Sequence, residues 1–203
     1  MTTDHSAGWD AVAERFMAIR SEIGVTLVRS WARDSLPSSA AILDIGCGSG
    51  VPIAQALVDD GFSVWGIDAS PSLISAYRRQ LPDMPAACEP VQNSDFFGRT
   101  FVGAVSIGLV FLLHAADQRK LLSNAASVLE PGGRFLFSAP REVCEWSDTL
   151  TGRTSMSLGA DAYAAHLAIV GLSLAHCHSD EGGNNYYEAV KVSVRARGVI
   201  SGV

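Results

Sequence analysis

Lysine is nearly missing from this chain of 203 residues: Lys120 and Lys191 are the only two, and the 21 acids outnumber the 15 Lys and Arg to give a net charge of -6. The thirteen arginines are scattered rather than clustered, so no stripe for coating nucleic acid is expected. Cysteine is also sparse. The four thiols, Cys47, Cys88, Cys144 and Cys177, lie far apart with no C-x-x-C pair, which excludes a disulfide-stapled scaffold and predicts reduced thiols in a cytoplasmic protein. No apolar run approaches the roughly 18 residues that span a bilayer, and the polar first ten residues lack the apolar core of a signal peptide. A soluble protein without membrane or nucleic-acid partners is the expectation. There is no internal repeat and no low-complexity tract. What remains is ordinary globular composition, 48% hydrophobic and 18% charged, at a length that fits a single domain over residues 1–203.

Against that plain background one stretch stands out. Ala41, Ile42 and Leu43 run into Asp44, after which Gly46, Gly48 and Gly50 fall at every second position until a helical pattern begins at Pro52. This reads as a strand, a tight turn and a helix start. Glycine lets the backbone take positive φ and lets a ligand lie against it, while a helix start offers unpaired N–H groups. A dinucleotide turn of the G-x-G-x-x-G kind would want glycine at position 51, where this chain has Val51. The pattern here is D-x-G-x-G-x-G.

The flanking chain alternates strand and helix signals. Residues 9–33 carry Val12, Phe16, Ile19, Ile23, Leu27 and Val28 at three- and four-residue steps, which predicts an amphipathic helix or a pair broken near Gly24. Such a segment reads as a helix covering one sheet face. A helix over residues 53–58 ends at Gly61, and a second strand, 62–67, terminates in Asp68, 18 residues after Gly50. An acid at that point can accept from both hydroxyls of a ribose; it can equally cap the helix that follows Ser70 and Pro71. A third strand is expected over 86–91, followed by Asp95 and Phe96, and a fourth over 101–107. His114 then stands either as a base or as the first residue of a helix over 115–129. Pro131, Gly132 and Gly133 make a sharp reversal before a fifth strand.

Taken in order, the D-x-G-x-G-x-G turn, the acid closing the second strand and the P-G-G reversal resemble the class I S-adenosylmethionine-dependent methyltransferases. The resemblance covers residues 41–138 well. It departs from the usual pattern at Val102, where an acid normally follows the phenylalanine opening the fourth strand. It implies an α/β, doubly wound, mostly parallel seven-stranded sheet with a C-terminal antiparallel hairpin strand. The division it implies is N-terminal lid helices over 1–36, a cofactor-binding core over 40–138, and an acceptor loop, helix and closing hairpin over 139–203.

The implied activity is transfer of a methyl group from S-adenosyl-L-methionine to a small-molecule acceptor, leaving S-adenosyl-L-homocysteine. The residues implied for the cofactor are Asp44, Gly46, Cys47, Gly48 and Gly50 of the turn, Asp68, Ala69 and Ser70 after the second strand, Asp95 and Phe96 beside the adenine, Ser106, and Trp9 and Arg20 of the lid. His114 is the candidate base. Residues 139–158 read as a long, polar, irregular loop around Trp146, and loops of that length are more often functional than idle. With Phe111, Arg141, Asn184, Asn185 and Tyr186, Trp146 is the expected acceptor wall. His176 and His178 share one face of a strand without a third ligand, so no metal site is expected. A non-catalytic scaffold with this fold is the first alternative, and an NAD-dependent oxidoreductase the second.

Overall fold

The computed structural model describes residues 4–193. A 3-10 turn at Asp10–Val12 leads into α1 (Ala13–Ile19) and α2 (Val25–Ser35), separated by a break at residues 20–24 where Gly24 takes φ of 87°. Strands and helices then alternate: β1 (Ala41–Ile45), α3 (Ile53–Asp59), β2 (Ser63–Asp68), α4 (Pro71–Gln80), β3 (Ala86–Cys88) and β4 (Phe101–Ser106). After α5 (Ala115–Val128) come β5 (Leu129–Ser138), β6 (Val143–Ser147), β7 (Thr154–Leu158), α6 (Ala160–Ile169), β8 (Leu172–Ser179) and β9 (Asn185–Lys191). The sequence reads the last strand as running from Tyr186 to Val194, and Val194 lies outside the described residues.

Seven strands form one sheet in the order β3-β2-β1-β4-β5-β9-β8. The first five pair in parallel, and β9 is antiparallel to both β5 and β8. β8 therefore runs with the parallel set, and only β9 opposes it. This is the expected doubly wound sheet. Alternation along β1 shows why both faces must be covered: Leu43 and Ile45 enter one apolar cluster with Leu121 and Leu122 of α5 and Leu167 of α6, while Ile42 enters the other with Trp31 of α2, Leu57 of α3 and Tyr77 of α4. Leu43 is fully buried, and truncating such a leucine to alanine costs about 2–5 kcal/mol. Among the described residues no helix is long and apolar enough to cross a membrane.

Two expectations are corrected. The third strand stops at Cys88, three residues earlier than its apolar run suggests, because residues 90–93 form a turn closed by Asn93 N–H donating to the Pro90 carbonyl. The segment 139–158 is no irregular loop: β6 and β7 pair antiparallel as a separate two-stranded sheet, with Trp146 opposite Ser155. Its strand character is hidden in the sequence because the inward positions of β7 are serines. Ser155 and Ser157 are buried, and the Ser157 hydroxyl donates to the Pro140 carbonyl at 2.7 Å, so hydrogen bonds take the place of the apolar alternation that marks a strand.

Candidate active site

A cavity of about 490 Å³ opens at the carboxyl ends of β1, β2 and β4, where open parallel sheets hold ligands. Its floor is the glycine turn. Gly46 has φ of 79°, and a Cβ there would stand 2.7 Å from the Leu109 side chain, so the turn passes Leu109 only because position 46 has no side chain. Gly48 donates its N–H to Asp68 Oδ2 at 3.0 Å, tying the turn to the end of β2.

Asp68 also accepts from Ser70 N–H at 2.9 Å, so the carboxylate stabilises the start of α4 while lining the cavity. The two readings of this acid, cap and cavity wall, coexist. Burial raises its pKa, with the Ser70 and Gly48 hydrogen bonds acting against that. Asp44 is more extreme. It is 2% exposed, its Oδ2 has no hydrogen-bond partner, and burial followed by the charge of Asp68 raises its pKa from 3.8 to about 7, opposed by Arg20. A buried carboxylate oxygen left unpaired is costly unless something cationic meets it. Cys47 shares the floor, and its thiol is pushed well above its usual range by burial and then by Asp44 and Asp68.

The N-terminal segment forms the roof. Trp9 and Phe16 meet edge to face at 5.5 Å, the Arg20 guanidinium lies 5.7 Å from the Phe16 ring centre, and all three line the cavity with His5, Ser6 and Ala7. Asp10 fastens this segment to the core. Its Oδ1 accepts from the Ser70 hydroxyl at 2.6 Å and from Ser72 N–H at 2.8 Å, a carboxylate at the N-terminus of α4 where the helix dipole favours it. Hydrogen bonds from Ser70 and Ser72 accordingly lower its pKa.

Of the residues expected at the cofactor, Trp9, Arg20, Asp44, Gly46, Cys47, Gly48, Asp68 and Ala69 converge on the cavity, and so does His114. Five others do not line it. Gly50 faces the Tyr77 ring, where a Cβ would come within 2.8 Å, and the Ser70 hydroxyl is taken by Asp10. Ser106 lies beneath the floor and donates to the Ile45 carbonyl at 3.0 Å. Phe96 is a core residue, 4% exposed, and Asp95 accepts from Phe97 N–H in the turn beside it. The early end of β3 is the reason: the first residues past the strand, Glu89, Pro90, Val91 and Gln92, take the wall instead. Applying the carboxyl-end rule to the true strand end would have found them.

The expected acceptor wall is redistributed as well. Phe111 and Trp146 pack on one another at 5.5 Å without lining the cavity. Arg141 is exposed, and its carbonyl accepts from Ala160 N–H at the start of α6. Asn185 is buried and donates from Nδ2 to the Ala139 carbonyl, Asn184 donates to Asp180, and the Tyr186 hydroxyl donates to Asp180 Oδ2 at 2.9 Å. In their place the cavity is walled by Leu109, Leu112 and Leu113, by Asp117 of α5, and by Gly152, Arg153 and Thr154 at the tip of the β6–β7 hairpin. No sequence signal marked the tip, since its approach depends on a hairpin that was itself hidden. His178 Nε2–H donates to Glu188 Oε2 at 2.9 Å, and among the described residues no group of three or more His, Cys, Asp or Glu is placed to hold a metal.

The parallel sheet with one reversed strand, a glycine turn after β1 and an acid closing β2 define a class I methyltransferase fold. Residues 42–133 match the family model described as "Methyltransferase domain", within the fold of the class I S-adenosylmethionine-dependent methyltransferases. Among curated proteins it is 29% identical over 101 residues to the ubiquinone biosynthesis O-methyltransferase of Coxiella burnetii, covering 48% of this chain and 42% of that protein. It is 40% identical over 163 residues to EEF1A lysine methyltransferase 2 of Mus musculus, covering 68% of this chain and 65% of that one. The match thus spans 42% of the length of the ubiquinone-pathway relatives. Among solved structures, 1,6-didemethyltoxoflavin-N1-methyltransferase of Burkholderia thailandensis, with 1,6-didemethyltoxoflavin and S-adenosylhomocysteine bound, superposes with a TM-score of 0.72 at 17% identity over 95% of this chain and 92% of that one.

Proposed function

We propose that this chain binds S-adenosylmethionine in the cavity over the glycine turn and transfers its methyl group to a small-molecule acceptor. The observation that carries the reading is the unpartnered, fully buried Oδ2 of Asp44 sharing a cavity with the Arg20 guanidinium. A carboxylate and a guanidinium facing one chamber suit the ammonium and carboxylate of an amino-acid head group, which S-adenosylmethionine carries and NAD does not. The missing third glycine of a dinucleotide turn, at Val51, supports the same choice.

In this reading Arg20 holds the carboxylate of the cofactor and Asp44 its ammonium, while Asp68 uses the lone pairs left free by Gly48 and Ser70 for the ribose hydroxyls. Ala69, Leu73 and Val91 supply apolar walls for a flat ring. The cofactor supplies a methyl group already activated on a sulfonium. The protein's part is therefore alignment and exclusion of water, for which Trp9, Phe16, Leu109 and Leu112 enclose the chamber. His114 stands at the rim, ahead of the first turn of α5, with a ring free of side-chain capping bonds, and is positioned to take a proton from an acceptor that arrives protonated.

The roof of residues 5–20 and the hairpin tip both border the chamber, which favours a small acceptor. The solved toxoflavin-type methyltransferase holds the small molecule 1,6-didemethyltoxoflavin and another similar protein is named for ubiquinone biosynthesis, whereas the mouse protein is named for a lysine of EEF1A. Calorimetry with S-adenosylhomocysteine and NAD, followed by transfer of labelled methyl to small amines and phenols or to protein, tests the reading in two stages. Binding of S-adenosylhomocysteine without NAD is expected, with label in the small-molecule fraction. Binding of neither ligand would leave a scaffold, and label in protein alone would move the acceptor class.

A further inference from the structure

The turn between β8 and β9 was expected at the acceptor; its side chains instead close on the break between α1 and α2. Asp180 builds the turn, accepting from Gly182 N–H, Asn184 N–H and Asn184 Nδ2 at 2.8–3.2 Å, and its remaining oxygen takes the Tyr186 hydroxyl. Glu181 Oε1 accepts from Gly24 N–H at 3.1 Å. The fit is close enough that a Cβ on Gly24 would stand 2.1 Å from the Tyr186 hydroxyl, and one on Gly182 would stand 2.8 Å from Ile23 Cγ2.

Gly24 begins α2, and Arg20, four residues earlier, ends α1 with an extended backbone, φ -61° and ψ 120°. The roof is thus fastened at two points that flank Phe16 and Arg20: Asp10 on the start of α4, and Gly24 on the β8–β9 turn. Between them the chain has little freedom in where it delivers the guanidinium.

We infer that Tyr186, Asp180 and Glu181 are positioning residues, which clamp the α1–α2 break and thereby aim Arg20 at the carboxylate end of the bound cofactor. The inference rests on the cofactor assignment of the preceding subsection. It makes the sheet's last hairpin, on the far side of β5 from the glycine turn, part of the cofactor site without touching the cofactor. Tyr186 is 2% exposed, so Tyr186→Phe keeps the ring in place and removes only the hydroxyl that holds Asp180.

The experiment compares two ligands that differ only at the amino-acid end, S-adenosylhomocysteine and 5′-methylthioadenosine, by calorimetry on the wild type, Tyr186→Phe, Glu181→Ala, Arg20→Met and Tyr186→Phe/Arg20→Met. Loss of about one hydrogen bond's worth of positioning should weaken S-adenosylhomocysteine about fivefold in Tyr186→Phe and in Glu181→Ala, with 5′-methylthioadenosine within about twofold. The double variant should bind no more weakly than Arg20→Met alone, since the clamp acts through that arginine. Equal losses for both ligands, additive losses, or no loss would overturn the inference. If the wild type binds neither ligand the cofactor reading fails, and hydrogen exchange of the ligand-free protein still decides the clamp: Tyr186→Phe and Glu181→Ala should speed exchange over residues 10–25 while β1 and β4 keep wild-type rates, and unchanged exchange there would refute it.

Discussion

The two ends of the sheet hold their shape by different means. Around β1, β2 and β4 the backbone does the positioning: glycines at 46 and 48 take φ of 79° and 55°, and the floor of the cavity is turn geometry with one buried acid, Asp44, and one half-buried acid, Asp68. Around β8, β9 and the β6–β7 hairpin the side chains do it, through the Asp180 network, Ser157 to Pro140, and the bond from Tyr163 to Gln118. The first kind of structure is written in residue identity, because few residues other than glycine fit such turns. The second is written in pairings between distant positions, which one sequence does not display.

The aromatic cluster that joins the two ends offers the largest test of that contrast. Phe137 of β5 stacks on Phe135 at 5.1 Å and on Tyr187 of β9 at 4.9 Å, and meets Tyr163 of α6 edge to face. Phe137→Ala should destabilise the whole protein by about 3–5 kcal/mol in denaturant unfolding, in one transition. Two separate transitions would show that the ends fold independently and weaken the comparison.

Asp68→Ala is next. It removes two backbone hydrogen bonds as well as the contacts expected at the ribose, so S-adenosylhomocysteine affinity should fall more than tenfold while the circular dichroism spectrum stays near native. Unchanged affinity in the folded variant would leave Asp68 only its structural role.

A third prediction uses pH. The folded pKa of Asp44, about 7, lies above its ordinary 3.8, so the protonated form is favoured in the ligand-free fold below about pH 7. Its contribution to stability is complete below about pH 4 and is lost as pH rises to about 7, at most on the order of 4 kcal/mol. Asp44→Asn should therefore be more stable than the wild type at pH 8, and the difference should shrink towards pH 4. A difference independent of pH would mean that Asp44 is not strained by its burial.

The smallest expected effects lie at the other end. Trp146→Ala removes the partner of Phe111 beside the cavity, and Asn185→Ala removes the bond to Ala139 beneath the rim. Both should leave S-adenosylhomocysteine affinity within about threefold. Trp146→Ala should affect acceptor turnover more, because it loosens the hairpin whose tip carries Arg153 into the cavity. A large loss of cofactor affinity in either variant would erase the distinction between the two ends.

The same contrast explains what the sequence disclosed. The order of strands and helices, the break near Gly24, and the convergence of Asp44, Gly46, Gly48 and Asp68 were legible from glycine spacing and from apolar periodicity. Asp95 and Phe96 fall outside the cavity because an apolar run, 86–91, overstates the length of β3 and moves the expected wall past Glu89 to Gln92. β8 runs with the parallel strands, so its turn into β9, which carries Asn184, opens at their carboxyl ends with Tyr186 directly after it. Which neighbour they would meet there, the α1–α2 break, was set by tertiary packing alone.

The central claim, that the cavity receives an amino-acid head group between Asp44 and Arg20, is tested most directly by the affinity for S-adenosylhomocysteine as a function of pH. An ammonium ligand needs Asp44 ionised. Wild-type affinity should thus rise by up to about tenfold per unit from pH 5.5 towards 7 and then level off, and Asp44→Asn should bind more weakly at pH 8 with that rise abolished. A flat wild-type profile, or the same rise in Asp44→Asn, would contradict the assignment.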